Sequence, residues 1–358
     1  MSAFDWISQL LYVAAATCFV LGLHLMNSPA TARRGNQVST SGMAVAVLTT
    51  LALVIHADTV SATGWIVMIA GALLGGGAGL YAARTVEMTA MPQLVSIFNA
   101  VGGGAAALVA INDYVKVTGA SAGVAESTTV ATILDVLIGA VTFSGSIIAA
   151  GKLQGLINGA PVTFRGSRAA NIAAAVIGIG GGIYMIVTPS VAVLVIILLA
   201  ALTFGVTMVL PIGGADMPVV ISLLNAFTGT AVAMAGFVIG NWALIIAGAL
   251  VGASGGILTK LMADAMNRSI RNIIVGGFGT GDSLAAAIEG PGGDVRSIAA
   301  DDAAIQLAYA AKVIIVPGYG LAAAQAQHQV PSWPRPWRSG GWRSATPSTR
   351  SRAGCPAT

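Results

Sequence analysis

Only a few residues in this sequence have side chains able to carry a proton or hold a charged ligand within an apolar setting. They are Asn99, Asp135, Ser144, Ser146, Asp216, Ser222, Asn225, Ser254 and Asp264, set in or beside long apolar runs. An unpaired polar or ionisable group is costly in hydrocarbon, so such groups face a protein interior or water and are functional candidates by default. Ser222 and Asn225 are three apart on one helical face, and Asp216 precedes Asn225 by about two and a half turns. Together they can line one polar seam; alternatively, each simply hydrogen-bonds a neighbouring helix. Asp135 lies in mid-run, where a carboxyl must be protonated, find a partner or line water. The expectation for it is a proton-relay or interior hydrogen-bonding role.

A second kind of chemistry is written near the end of the chain, in KVIIVPGYGLAAAQAQ at 312–327. A short β-branched strand (312–316) runs into Gly318, Tyr319, Gly320 and Ala323, a G-x-G-x-x-A turn that opens a helix-forming run. Such a turn lets a pyrophosphate approach the backbone at a helix N-terminus. An ordinary strand-turn-helix has the same pattern, so the spacing leaves both readings open.

The elements that must position these residues follow from composition. Of 358 residues 56% are hydrophobic and only 8% charged, with a mean hydropathy of +0.85. Soluble domains carry about 25% charged residues, so water cannot be the solvent for most of this chain. Apolar stretches bounded by polar residues or Gly and Pro predict nine spans, near 6–26, 41–56, 64–83, 92–112, 130–151, 170–187, 190–210, 217–240 and 242–263. The first lacks the positive flank of a cleavable signal peptide and is expected to be a retained helix. His24 and His56 fall toward span ends, an interfacial position, and no histidine falls in mid-span.

Charge gives the bundle a direction and excludes one class of partner. Arg33, Arg34, Arg84, Lys152, Arg165, Arg168, Lys260, Arg268 and Arg271 fall in connections on one side, against Lys116 on the other. Because short cytoplasmic loops collect positive charge, the N-terminus is expected outside and the C-terminus in the cytoplasm. The pI of 9.3 does not mean a nucleic-acid partner. Five arginines (335, 338, 343, 350 and 352) lie in the last 30 residues, and the remaining 12 basic residues face 13 acidic ones. Cys18 and Cys355 suggest neither a disulfide framework nor a metal site. Gly71, Gly75 and Gly79, and likewise Gly248, Gly252 and Gly256, recur every fourth residue and predict a tightly packed face on the third and ninth helices.

Several blocks resemble one family, the β subunit of the proton-translocating NAD(P) transhydrogenase: RTVEMTAMPQLVSIFN (84–99), IGAVTFSGSIIAAGKL (138–153), IGGADMPVVISLLNAFTG (212–229), AMNRS (265–269), GGFG (276–279) and VIIVPGYGLAAAQAQ (313–327). The resemblance implies an all-α polytopic bundle of about nine spans in a bacterial cytoplasmic (inner) membrane, followed by the start of an α/β Rossmann-like nucleotide domain. It implies hydride transfer from NADH, held by a partner α subunit, to NADP held by the β subunit's C-terminal domain, coupled to proton movement through the bundle. Asn99, Ser146, Asp216 and Asn225 then correspond to the family's proton path, joined in our reading by Asp135 and Ser222. Gly318, Tyr319, Gly320 and Ala323 would contact NADP. Some family members carry histidine where this chain has Asn99; those with asparagine place that histidine on a membrane helix of the α partner. The implied assembly is a homodimer of α–β units.

The resemblance divides the chain into a bundle (1–264), a cytoplasmic hinge (265–300), the start of an NADP-binding domain (301–328) and a terminal stretch (329–358). That stretch has five Pro, five Arg and three Trp but no acidic residue, Leu or Ile, and is expected to be disordered. The family's nucleotide domain runs well over a hundred residues beyond Gln327, so a reading-frame shift is the expectation here, with weak NADP binding or none. Two other classes fit the polar spans: a secondary transporter or channel, although no internal repeat is evident, and a structural or inactive membrane subunit.

Overall fold

In the computed structural model, residues 3–58, 60–119, 126–266 and 269–270 are described. All of them belong to a unit spanning Met1–Ile288; a second unit, Glu289–Thr358, lies outside the described residues. The nucleotide-binding expectation, Gly318, Tyr319, Gly320 and Ala323 included, and all of the 265–300 hinge but Ala265, Met266, Ser269 and Ile270 therefore also lie outside them.

The regular elements among the described residues are all helical: α1 (Ala3–Leu25), α2 (Pro29–Ala57), α3 (Ala62–Thr85), α4 (Met91–Gly119), α5 (Glu126–Leu153), α6 (Ser167–Val187), α7 (Val191–Val209), α8 (Met217–Ile239) and α9 (Trp242–Ala265). Short 3₁₀ turns at Met88–Ala90 and Gly214–Asp216 lead into α4 and α8. All nine are long and apolar enough to cross a bilayer. Large apolar side chains point outward, Leu73 and Leu74 of α3 being 71% and 76% exposed, an arrangement suited to lipid and not to water.

Helix ends follow local chemistry more than hydropathy. The apolar run at 41–56 marks only part of α2, which starts twelve residues earlier at Pro29, where proline's fixed φ suits a first turn. Arg33 and Arg34 thus lie in a helical extension and not in a loop. Gly35 and Gly42 on this helix let α1 approach closely: a Cβ at Gly42 would lie 2.7 Å from the Cys18 Cβ. Between α8 and α9 the chain reverses at Gly240, whose φ of 66° favours glycine, and the Asn241 side chain caps α9 by accepting from the Leu244 N–H at 3.2 Å.

α5 and α8 are the most buried helices and form the centre, with α4 and α7 packed on α5 and α9 on α8. The α8–α9 contact uses the expected glycines. A Cβ at Gly229 would sit 2.9 Å from the Gly248 carbonyl oxygen, and one at Gly252 3.0 Å from the Thr230 Oγ1. Gly255 belongs to this seam, 2.9 Å from the Ala226 Cα by the same construction, whereas Gly256 faces open space. For α3 the expectation fails among the described residues. Nothing lies within 4 Å of a Cβ at Gly71, Gly75 or Gly79, and no residue of the helix is buried. Four-residue glycine spacing states that a face is smooth, not that a helix of the same chain meets it.

Candidate functional site

Three helices converge on one buried polar group. Along α4, Gln93, Ser96 and Asn99 stand three residues apart, which puts them on the face that meets α5 and α8. The Ser96 hydroxyl, fully buried, donates to the Ser146 backbone carbonyl on α5 at 2.8 Å. The Gln93 amide donates to the Leu153 carbonyl at the end of α5 at 3.3 Å. Asn99, buried, donates through Nδ2 to the Ile221 carbonyl on α8 at 3.3 Å, and its backbone carbonyl accepts from the Thr228 hydroxyl at 3.3 Å.

Asn225 belongs to the same face of α8, four residues after Ile221 and three before Thr228, and is half-buried. Asn99 and Asn225 lie eight residues after the starts of α4 and α8, and Ser146 lies seven before the end of α5, within about a turn of one another in depth at 1.5 Å per residue. Asp216, half-buried, closes the 3₁₀ turn from which α8 starts, about 14 Å below Asn225 along the axis.

Ser222 does not share this hydrogen bonding. Its hydroxyl donates to the Gly255 carbonyl at 3.4 Å and accepts from Thr259 Oγ1 at 3.0 Å, both on α9. Ser222 thus serves the α9 interface, while Asn225 lies between Ile221 and Thr228, the residues that bond α4. Ser144 donates to its own helix at the Ala140 carbonyl, 3.0 Å away, and Ser254 to Val251 at 3.2 Å. Asp264 is exposed.

Asp135 is fully buried on α5, eleven residues before Ser146 and therefore on the same face about 16 Å away. Neither of its carboxyl oxygens, nor the Ser146 hydroxyl or the Thr132 hydroxyl, has a hydrogen-bond partner among the described residues. Between Asp135 and Ser146 the backbones of α4 and α5 nearly touch: a Cβ at Gly139 would be 2.6 Å from the Gly103 carbonyl oxygen, and one at Gly103 would be 2.9 Å from the Thr142 Cβ. The structure therefore puts Asn99, Ser146 and Asn225 on three adjoining helices within about a turn in depth, with Asp216 at the start of α8 and Asp135 beyond a glycine contact.

Ser96, Thr228 and Thr259 are polar partners that sequence reading passed over. The signal was available for two of them, since Ser96 precedes Asn99 and Thr228 follows Asn225 by three residues. Amides and hydroxyls of this kind donate and accept at once and can pass a proton along a hydrated chain; the two carboxyls can hold one.

Comparison with known proteins decides the family. The sequence profile described as NAD(P) transhydrogenase beta subunit matches residues 8–339. Two sequences of NAD(P) transhydrogenase subunit beta from Rhodospirillum rubrum are each 45% identical over 323 residues, covering 88% of this chain and 68% of their own length. The chain belongs to the NAD(P) transhydrogenase beta subunit family. For a transhydrogenase beta subunit the nine apolar helices make a multi-pass membrane bundle, its chemistry that of an oxidoreductase using NAD(P), and its partner an α subunit. The polar group on α4, α5 and α8 lies in that bundle.

Proposed function

We propose that the bundle of this β subunit conducts the protons whose movement is coupled to hydride transfer between NADH and NADP, and that Asn99, Ser146 and Asn225 are the narrow part of the route. The observation that carries this reading is the joining of α4 to α8 at Asn99, whose side-chain amide and backbone carbonyl are both engaged on α8, while the Ser146 hydroxyl on α5 has no partner among the described residues. Amide and hydroxyl groups held at one depth in three helices give water a set of fixed donors and acceptors in an otherwise apolar interior.

Asp216 lies at the mouth of this route and Asp135 beyond its far end. Ser222 acts on the route from behind, holding α8 against α9. The charge distribution supports a cytoplasmic position for Asp216 and the C-terminus, in a bacterial inner membrane. The α subunit contributes the NAD(H) domain and a histidine on a membrane helix, and two α–β units pair. NADP, when bound, supplies the hydride acceptor, and the residues proposed to hold it are Gly318, Tyr319, Gly320 and Ala323.

The test is an Asn225→Leu substitution in the chain assembled with its α subunit in sealed vesicles. The expected result is a fall of about tenfold or more in hydride transfer driven by a proton gradient. A transporter or channel would leave hydride exchange between soluble nucleotides unchanged, and that result would overturn the proposal.

A further inference from the structure

Lys152 stands in the last turn of α5, six residues beyond Ser146, and is 4% exposed. Its ammonium has three N–H donors, and three backbone carbonyls receive them: Ala160 at 3.2 Å, Ile212 at 2.8 Å and Leu210. The first belongs to the α5–α6 connection and the other two to the α7–α8 connection. The same two connections are paired by their backbones, Val162 N–H to the Leu210 carbonyl at 3.0 Å and Gly214 N–H to the Gly159 carbonyl at 2.8 Å. Immediately after Ile212 come the 3₁₀ turn Gly214–Asp216 and the fully buried Met217 that begins α8.

A lysine this deeply buried, with every proton spent on main-chain oxygens, does not serve solubility. Main-chain carbonyls near a helix end carry partial negative charge and accept a cation in place of water. Two of the carbonyls it gathers lie 58 and 60 residues from it in sequence, so the contact fixes tertiary placement and not local conformation.

We propose that Lys152 is a positioning residue: it ties the α7–α8 turn to the end of α5 and so sets where α8 starts, with Asp216 at its first turn and Asn225 facing α4. The proposal rests on the proton-route reading only for its consequence in coupling; the tether itself stands on geometry. No proton passes through Lys152, and it touches none of the groups assigned to the route.

The tether is read by disulfide trapping in the full chain carrying Cys18→Ala and Cys355→Ala. One pair, Gly159→Cys with Gly214→Cys, reports on the paired connections; a Cβ at Gly214 would be 3.5 Å from the Gly159 carbonyl oxygen. A second pair, Gly178→Cys with Ala200→Cys, reports on the α6–α7 contact, where the Cβ atoms would be 4.0 Å apart, within disulfide range. Lys152→Met keeps the side chain's length and removes its donors. The expected result is a fall of about tenfold in the trapping rate of the first pair, with the second unchanged. An unchanged first pair, or equal loss at both, would overturn the tether.

The same variant in the assembled complex is expected to lower gradient-driven hydride transfer more than transfer without a gradient. Equal lowering of the two would overturn the role in coupling. A parent complex that transfers hydride but shows no response to a gradient would instead count against the proton-route reading, and the trapping experiment would still decide the tether.

Discussion

Asn99 on α4 and Ile221 on α8, 122 residues apart in the chain, are joined by a hydrogen bond of 3.3 Å from the asparagine amide to the isoleucine backbone carbonyl. Thr228 returns the contact by donating to the Asn99 carbonyl, so α4 and α8 are stitched at two points one side chain apart. Carbonyls already bonded within a helix retain a second lone pair, which lets a polar side chain join two helices without breaking either.

Asn99→Leu removes the amide while roughly keeping volume. Because the side chain's partner, the Ile221 carbonyl, stays satisfied within its helix, and the Thr228 bond to the Asn99 backbone carbonyl is kept, the stability loss is expected to be small, about 1 kcal/mol. Proton-coupled hydride transfer in the α–β complex is expected to fall about tenfold or more. Thermal unfolding in detergent and the vesicle assay separate the two effects, and a stability loss that accounts for all of the lost activity would remove Asn99 from the route.

Asp135 gives the opposite combination. A buried carboxyl without a partner costs stability, so Asp135→Leu is expected to raise the detergent unfolding midpoint, by the equivalent of about 1 kcal/mol or more. If the carboxyl takes part in proton movement, the same variant slows gradient-driven turnover. A variant that is more stable and fully active would show that Asp135 has no part in the reaction.

Glycine substitutions should divide sharply by position. Gly139→Ala places a methyl 2.6 Å from the Gly103 carbonyl oxygen, a main-chain atom that cannot move aside without shifting α4. A loss of about 1–3 kcal/mol is expected. Gly75→Ala on α3 meets nothing within 4 Å, and the isolated chain should tolerate it, gaining at most about 1 kcal/mol from helix propensity. Unfolding curves of the two variants in the same detergent provide the comparison. Equal effects would mean that α3 is as tightly packed as α5.

The α8–α9 bond between Ser222 and Thr259 can be isolated by a double-mutant cycle. Ser222→Ala and Thr259→Val are each expected to cost about 1 kcal/mol, with a coupling energy of about 0.5–1 kcal/mol between them. Additive losses would mean that the hydroxyls are satisfied independently, Thr259 by Gly255, whose carbonyl it also meets at 2.7 Å.

Sequence alone was enough to specify a membrane bundle of nine apolar helices, because hydrocarbon admits only backbone that bonds within itself and such backbone needs long runs free of charge. It also marked Asn99, Ser146 and Asn225 as candidates, since polar groups in such runs are few. Which partner each polar group takes was decided only by tertiary structure. Helical periodicity puts Ser222 and Asn225 on one face, yet only Ser222 bonds α9, while the α4 bonds fall to Ile221 and Thr228 on either side of Asn225. The glycine rows of α3 and α9 look alike in sequence and differ wholly in surroundings, because a pattern records the shape of one surface and not the presence of another. Lys152 read as a loop charge, counted for orientation. Only the fold brings the Ala160, Leu210 and Ile212 carbonyls to its ammonium, and no spacing along the chain could have shown a site assembled from two separate connections.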